Sequence, residues 1–124
     1  MKAASAGETR FAALRATAQL ASYPDKRLEK LLPYFDEVTL PAGSQVAEEG
    51  ERCSQFVVVM CGRLQATEHG ARSHSLVAGD SVGWKAMWER TSNEASVVVA
   101  IDAKLLVMSH AQFRAVKAIV EPAA

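Results

Sequence analysis

The chain of 124 residues is 49% hydrophobic and carries 14 basic and 14 acidic side chains, so its formal net charge is zero. A chain of this length can bury one hydrophobic core, and a single domain spanning 1–124 is predicted. The charge balance excludes the basic surface of a typical nucleic-acid-binding protein, and no apolar run approaches the ~20 residues that cross a bilayer. Because the N-terminus also lacks the apolar segment of a signal peptide, a cytoplasmic protein without membrane insertion is expected.

Two amphipathic helices are predicted at about residues 9–33, after a short flexible tail formed by residues 1–8. Asp25, which follows a proline, is the predicted N-cap of the second helix. Each helix is expected to turn one apolar face toward the core. These faces consist of Phe11, Leu14 and Ala18 in the first helix and of Leu28, Leu31 and Leu32 in the second.

From Phe35 onward, apolar and polar residues alternate, and turn residues recur at short intervals. This pattern is typical of a small antiparallel barrel or sandwich. Phe56–Met60 is a continuous apolar run rich in β-branched residues, which predicts a buried strand that is broken at Gly62. About eight short strands are expected in all, with helices only at the two ends of the chain. Later strands are predicted at 72–77, 95–101 and 104–108.

A final helix is predicted at about 109–120. Ser109, with Gln112 three residues further on, forms a capping-box pattern that marks its start. Pro122 marks its end, because proline cannot continue a helix. The apolar face of this helix would consist of Phe113, Val116, Ile119 and Val120.

The segment 79–99 carries the most specific pattern in the chain. It begins with Gly79-Asp80, continues two residues later with Gly83, and then contains a short apolar helix that precedes a β-branched run. This segment resembles the phosphate-binding cassette of cyclic nucleotide-binding domains, which occur in catabolite-activator-type bacterial regulators and in the regulatory subunits of cAMP-dependent kinase. In that family the cassette reads Gly-Asp, two residues, Gly-Glu, a short apolar helix, and an Arg shortly before Ala-Thr-Val.

The resemblance extends over most of the chain, from about Leu20 to Val120. Leu40 to Gly43 and Glu49 to Glu51 resemble the family's first strand and turns, and Gln55 to Val59 resembles one strand of its central hairpin. The resemblance implies a mainly β fold with flanking helices. Its core would be a flattened β-roll of the jelly-roll or double-stranded β-helix type, into which the cassette helix, at about 84–88, is inserted.

Two positions depart from the family's cassette. When the segments are aligned without a gap, the family's ribose-binding Glu falls on Trp84, and its phosphate-binding Arg falls on Asn93. If each such hydrogen bond to a charged group contributes about 1.5–3 kcal/mol, the two losses weaken binding roughly a hundred-fold to ten-thousand-fold. The resemblance therefore predicts a degenerate ligand pocket.

The two tryptophans of the cassette helix have different expected roles. The indole of Trp84 is expected to turn into the apolar interior of the roll and to fill the place of the ligand's sugar. Trp88 follows it by four positions and so lies on a similar face of the helix. For Trp88, core packing and a partner-binding surface both remain open.

A pocket of this kind could still hold an anion through other groups. The backbone N–H groups that follow Gly83 attract negative charge, and Lys85, Arg90 or Arg63 could supply a cation. Glu94, next to Asn93, would repel a phosphate, and the basic side chains are interpreted as solvated surface charges. The candidate ligand-binding residues are Gly83, Trp84, Lys85, Ala86, Arg90, Asn93 and Ala95.

Metal chemistry is not expected. The related cupin roll binds metals through closely spaced histidines and a carboxylate, whereas His69, His74 and His110 stand apart in this sequence. Cys53 and Cys61 have no partner at metal-ligand spacing and are predicted to be free thiols. No catalytic site and no required cofactor are predicted.

Two functions remain open at the level of sequence. The first is a non-enzymatic, stand-alone module with a degenerate pocket that binds another protein or itself. The second is a sensor that holds cAMP, cGMP or another anion through Lys85, Arg90 and backbone amides. Because the sequence ends at Ala124, soon after the last helix, the family's lid helix and DNA-binding domain are not expected.

Overall fold

The computed structural model describes residues 6–120, and the side chains of residues 9–118. Within that range the chain forms helices at both ends and antiparallel strands between them, and a further short helix, the cassette helix implied by the resemblance, interrupts the strands. The helices are α1 (Ala6–Ala16), α2 (Asp25–Leu31), α3 (Trp84–Glu89) and α4 (His110–Val120), with 3-10 turns at Ala18–Leu20 and Leu32–Tyr34. The strands are β1 (Asp36–Leu40), β2 (Gln45–Ala47), β3 (Gln55–Glu68), β4 (Arg72–Leu76), β5 (Ser81–Val82) and β6 (Ser96–Ser109).

The two N-terminal helices form as predicted, but both of their starts differ. Helix α1 begins at Ala6, inside the predicted tail, while residues 1–5 lie outside the described part of the chain. Helix α2 has Pro24 as its N-cap, and Asp25 is the first helical residue. The predicted N-cap is thus wrong by one position, because the Asp25 carboxylate binds the Arg15 guanidinium at 2.8 Å instead of capping the helix.

Strands β3 and β6 form the centre of the sheet. They are paired from Gln55 opposite Ser109 to Thr67 opposite Ser96, and the strand order is β1-β6-β3-β4. Two short strands complete the roll, since β2 pairs with β6 and β5 pairs with β3. All of these pairs are antiparallel.

The predicted break at Gly62 is wrong, because β3 continues through it. The register shifts around this residue, and a Cβ placed there would clash with the carbonyl oxygen of Asp102 on β6. Gly62 has φ +87° and marks a bulge where the two strands approach closely. The predicted break at Asp102-Ala103 is absent as well. The sequence predicts about eight short strands, whereas residues 6–120 form six strands. Two of these six, β3 and β6, have 14 residues each.

Two hydrophobic clusters lie on opposite faces of β3. Successive side chains of a strand point to opposite sides of the sheet. Phe56 and Val58 accordingly pack against the helices, while Val57 and Val59 face the interior of the roll. All four are at most 1% exposed, which confirms the predicted buried strand.

The start of α4 is the predicted capping box. The Ser109 N–H donates to the Gln112 side-chain oxygen at 2.7 Å, and the Gln112 N–H donates to the Ser109 hydroxyl at 3.2 Å. Phe113 and Val116 are buried against the helical cluster, whereas the side chains of residues 119 and 120 lie outside the described residues. None of the helices between residues 6 and 120 is long and apolar enough to cross a bilayer.

Candidate functional site

The cassette helix α3 is held against β3 by Gly83. This residue caps the helix in a left-handed conformation with φ +99°, where a side chain is strained. A Cβ at Gly83 would clash with the carbonyl oxygen of Gln55 and would lie 3.3 Å from the Cys53 sulfur. Burial raises the pKa of the Cys53 thiol, which points toward the Gln55 and Gly83 carbonyl oxygens at 3.4 and 3.8 Å. A neutral thiol therefore packs between the first residues of α3 and the start of β3.

A cavity of about 260 Å³ lies between α3 and the interior of the roll. It is smaller than the ~300–1,000 Å³ of most small-molecule sites. The structure brings six of the seven predicted site residues into its wall, and Arg90 is the exception. The six are Gly83, Trp84, Lys85, Ala86, Asn93 and Ala95.

Trp84 does not fill this cavity, and the prediction that it would do so is wrong. Its ring forms part of the wall and packs toward the helices, with centroid distances of 4.9 Å to Phe56 and 5.8 Å to both Trp88 and Phe113. Because Trp84 and Trp88 are one turn apart on a helix, they share the face that meets α4. The aromatic cluster offers the indole more contact than the small cavity does, and the space inside the roll stays open.

Asn93 has a structural role in the turns at the edge of the site. Its side-chain amide donates to the Glu48 carbonyl oxygen at 2.9 Å, and its backbone N–H donates to the Glu51 carbonyl oxygen at 2.8 Å. Its own carbonyl oxygen accepts the Gly50 N–H at 3.0 Å. These three bonds join the β5–β6 connection to the turn after β2. Asn93 therefore ties two connections together at the place where the family has a cation.

The wall of the cavity carries charged groups of both signs. Glu68, Glu94 and one strongly basic residue, Lys85, line it. The Lys85 side chain is 75% exposed, and its ammonium lies 4.0 Å from the Glu89 carboxylate. Glu68 and Glu94 also line a neighbouring depression of the surface, and Glu94 is exposed. Arg63, the third predicted cation, is exposed and does not line this cavity.

Arg90 lies on the other side of α3. It lines a separate groove of about 440 Å³ between α3 and α4. The helix is only six residues long, and Arg90 follows its last residue in a left-handed conformation with φ +58°. The predicted partnership between Lys85 and Arg90 is therefore not formed, because they face different cavities.

Four polar residues of the cavity wall are not named by the sequence analysis as part of the site, namely Gln19, Glu68, His74 and Ser81. The Ser81 hydroxyl donates to the Gln19 side-chain oxygen at 2.6 Å, which joins the N-terminal helices to the cassette. Glu68 could have been found from the alternation of β3. Leu64 and Ala66 face the interior, and Glu68 follows two residues later on the same side.

The described residues contain no cluster of His, Cys, Asp or Glu suited to a metal ion. Cys53 is buried and Cys61 is exposed, and both are free thiols as predicted. His69 pairs with Glu49 at 3.2 Å on the surface.

Comparison with known proteins identifies the family. A sequence model of the cyclic nucleotide-binding domain matches residues 37–118, well over half of the 124 residues. The chain therefore belongs to the cyclic nucleotide-binding domain family. A comparison with curated proteins gives no significant sequence match.

Solved structures confirm the predicted fold class, a mainly antiparallel β-roll with flanking helices. The regulatory domain of Toxoplasma gondii PKA, solved with cAMP, has a TM-score of 0.81 and 21% identity, over 94% of this chain and 46% of that one. A putative cyclic nucleotide-binding protein from Ruegeria pomeroyi has a TM-score of 0.78 and 16% identity, over 92% and 53%. This chain thus spans about half the length of both. A cyclic nucleotide-binding-like protein from Brucella abortus has a TM-score of 0.72 and 17% identity, over 86% and 96%.

Proposed function

We propose that this protein is a non-enzymatic regulatory module that binds another protein or a second copy of itself. In this proposal the pocket beside α3 does not hold cAMP or cGMP in the family's usual way. The proposal assigns no nucleic-acid or membrane partner, since the formal net charge is zero. A cytoplasmic location is part of the same proposal.

The observation that carries the proposal is the charge of the cavity wall. A cyclic nucleotide carries a phosphate that needs a charge-assisted donor in a buried site. Here the position of the family's phosphate-binding Arg is Asn93, whose amide is bound to a backbone carbonyl. Glu68 and Glu94 line the same cavity, and their negative charge would weaken the binding of a phosphate there.

Calorimetry and thermal melting with cAMP and cGMP test this proposal. We expect no saturable heat and no rise in melting temperature at millimolar nucleotide. A ligand present at a hundred times its dissociation constant stabilises a protein by about 2.7 kcal/mol, which melting detects readily. Saturable binding of either nucleotide by the wild-type protein, with a micromolar dissociation constant, would contradict the proposal.

A second candidate function, an anion sensor, is favoured by the position of Trp84. Its ring packs against Phe56 and leaves the cavity open, with Lys85 at the wall. If this function holds, cAMP, cGMP or inorganic phosphate raises the melting temperature, and Lys85→Ala removes the rise. Lys104→Ala is the matched control, because Lys104 pairs with Glu37 on the sheet, away from the cavity. The sensor function is excluded if the ligand raises the melting temperature equally in both variants, or if it does not raise the melting temperature of the wild type.

A further inference from the structure

The groove between α3 and α4 has an apolar floor. Met87 and Phe113 are 2% and 3% exposed, and Trp88 is half-buried beside them. The Trp88 and Phe113 rings meet edge to face, with centroids 5.2 Å apart. Trp88 is therefore partly accessible in a concave surface of about 440 Å³. A volume of this size accommodates a few side chains of a partner and no large ligand.

The rim of this groove is basic. Arg90 and Arg114 are exposed, Lys117 and His110 are half-buried, and none of the described residues that line the groove is acidic. Among residues 9–118, neither arginine nor Lys117 forms an ion pair. Since the chain as a whole has no net charge, this is a local concentration of positive charge around an apolar floor.

The aromatic floor and the basic rim are in direct contact. The Lys117 ammonium lies over the Trp88 ring, 5.4 Å from its centroid. This cation–π contact holds the ammonium above the floor while its N–H groups stay available to an acceptor. A carboxylate that approaches Lys117 therefore brings its neighbouring side chains against Trp88.

The backbone at Arg90 is a further, independent sign that this rim is used. Arg90 has φ +58° and ψ +45°, at the position after a helix where glycine is usual. A residue with a Cβ is strained in this conformation. Strained residues of this kind are concentrated at binding sites, where the side chain is needed for a contact.

We infer that this groove, defined by its floor of Met87, Trp88 and Phe113 and its rim of Arg90, Arg114 and Lys117, binds an acidic segment of another protein. The segment would place an apolar side chain on the floor and carboxylates on the rim. The inference rests on the part of the proposed function that assigns a protein partner to this chain. Its basis is charge complementarity, because three cations that form no ion pair within residues 9–118 attract carboxylates.

A second copy of the chain is a poorer occupant. The glutamates Glu49, Glu68 and Glu94 line an acidic surface that is itself a depression. Two concave surfaces do not fit together, whereas a protruding segment fits one of them. Nucleic acid is disfavoured too, since Lys117 lies over the Trp88 ring and Phe113 is buried, which leaves little aromatic surface for stacking bases.

Selection of short random peptides displayed on phage tests this inference with the whole chain. We expect the selected peptides to contain an aromatic or leucine side chain flanked by Asp or Glu. Their affinity, measured by fluorescence anisotropy, should fall at least about tenfold in Arg114→Glu/Lys117→Glu and as salt is raised. Lys26→Glu/Lys30→Glu, at two exposed lysines on α2 that do not line the groove, is the matched charge control and should bind as the wild type does.

Arg90→Gly separates binding from folding. Glycine relieves the left-handed backbone, so the melting temperature should hold or rise while peptide affinity falls. The inference is overturned if no peptides are selected, if they lack acidic residues, if the double variant binds equally well, or if duplex DNA competes with them fully. If one of these results is found and cAMP does not bind, the groove is not the partner surface, but the proposed function still holds. If cAMP binds with micromolar affinity, the proposed function itself is wrong.

Discussion

Gly83 is the residue on which the whole cassette depends. It turns the chain from β5 into α3, and its missing side chain lets the helix start lie directly on the Gln55 carbonyl and the Cys53 thiol. A methyl group at this position would clash with the Gln55 carbonyl oxygen and would crowd the buried Cys53 thiol. Trp84 follows immediately, so the direction of its indole is set by this contact.

We therefore expect Gly83→Ala to lower the free energy of unfolding by about 2–4 kcal/mol, from backbone strain and overpacking together. Urea denaturation measures the change. Gly70→Ala is the matched control, since Gly70 also has positive φ, +69°, but a Cβ placed there would meet no atom within 4 Å. It should lose only about 1–2 kcal/mol. Equal decreases in the free energy of unfolding at the two sites would show that the close contact at Gly83 does not contribute to stability.

Helix α4 contributes to the aromatic cluster and to the basic rim of the proposed groove. Phe113 closes the aromatic cluster around Trp84, and Arg114 and Lys117 form part of the basic rim. The capping box at Ser109 and Gln112 fixes where this helix begins and thus which side chains face the cassette. Fraying of its first turn would loosen Phe113 before any other part of the cluster.

Ser109→Ala removes the hydroxyl that accepts the Gln112 N–H. We expect it to lower the free energy of unfolding by about 1 kcal/mol and to weaken near-ultraviolet circular dichroism from the aromatic cluster. Ser54→Ala, at an exposed serine without a side-chain bond in the described part of the chain, should change stability by less than about 0.5 kcal/mol. A cap effect no larger than this control would mean that packing alone fixes the start of α4.

The elements differ in how far the sequence alone predicts them. The capping-box prediction is correct because its signal lies within four neighbouring residues. The predicted division of the two long strands is wrong, since Gly62 resembles a turn signal until the Asp102 carbonyl is known to lie against it. The N-cap prediction at Asp25 fails for the same reason, because its partner Arg15 comes from another helix.

At the scale of the molecule, β3 and β6 are the most enclosed part of the sheet. Each has partners on both sides, with β1 and β2 beside β6, and β4 and β5 beside β3. The two hydrophobic clusters pack on their opposite faces. Opening them therefore requires that both clusters be exposed at once.

Native-state hydrogen exchange should follow this arrangement. We expect the slowest amides in the paired centre of β3 and β6, around Val57 and Leu106, with opening free energies close to global unfolding. Amides of β2 and β5, strands of three and two residues, should exchange fastest within the sheet. Slowest exchange in β1 or β4 would contradict a core packed on both faces of the central strands. Exchange followed by NMR spectroscopy provides the measurement.

The sequence by itself determined the family, the fold class and the two departures from the cassette, because these depend on the order and spacing of residues along the chain. Only the tertiary structure decided which way the cassette side chains point. Trp84 turned to the helices, Arg90 to the basic groove and Glu68 to the cavity. The physical reason is that a helix of six residues is not stable in isolation. The orientation of its side chains is therefore determined by packing against β3 and α4.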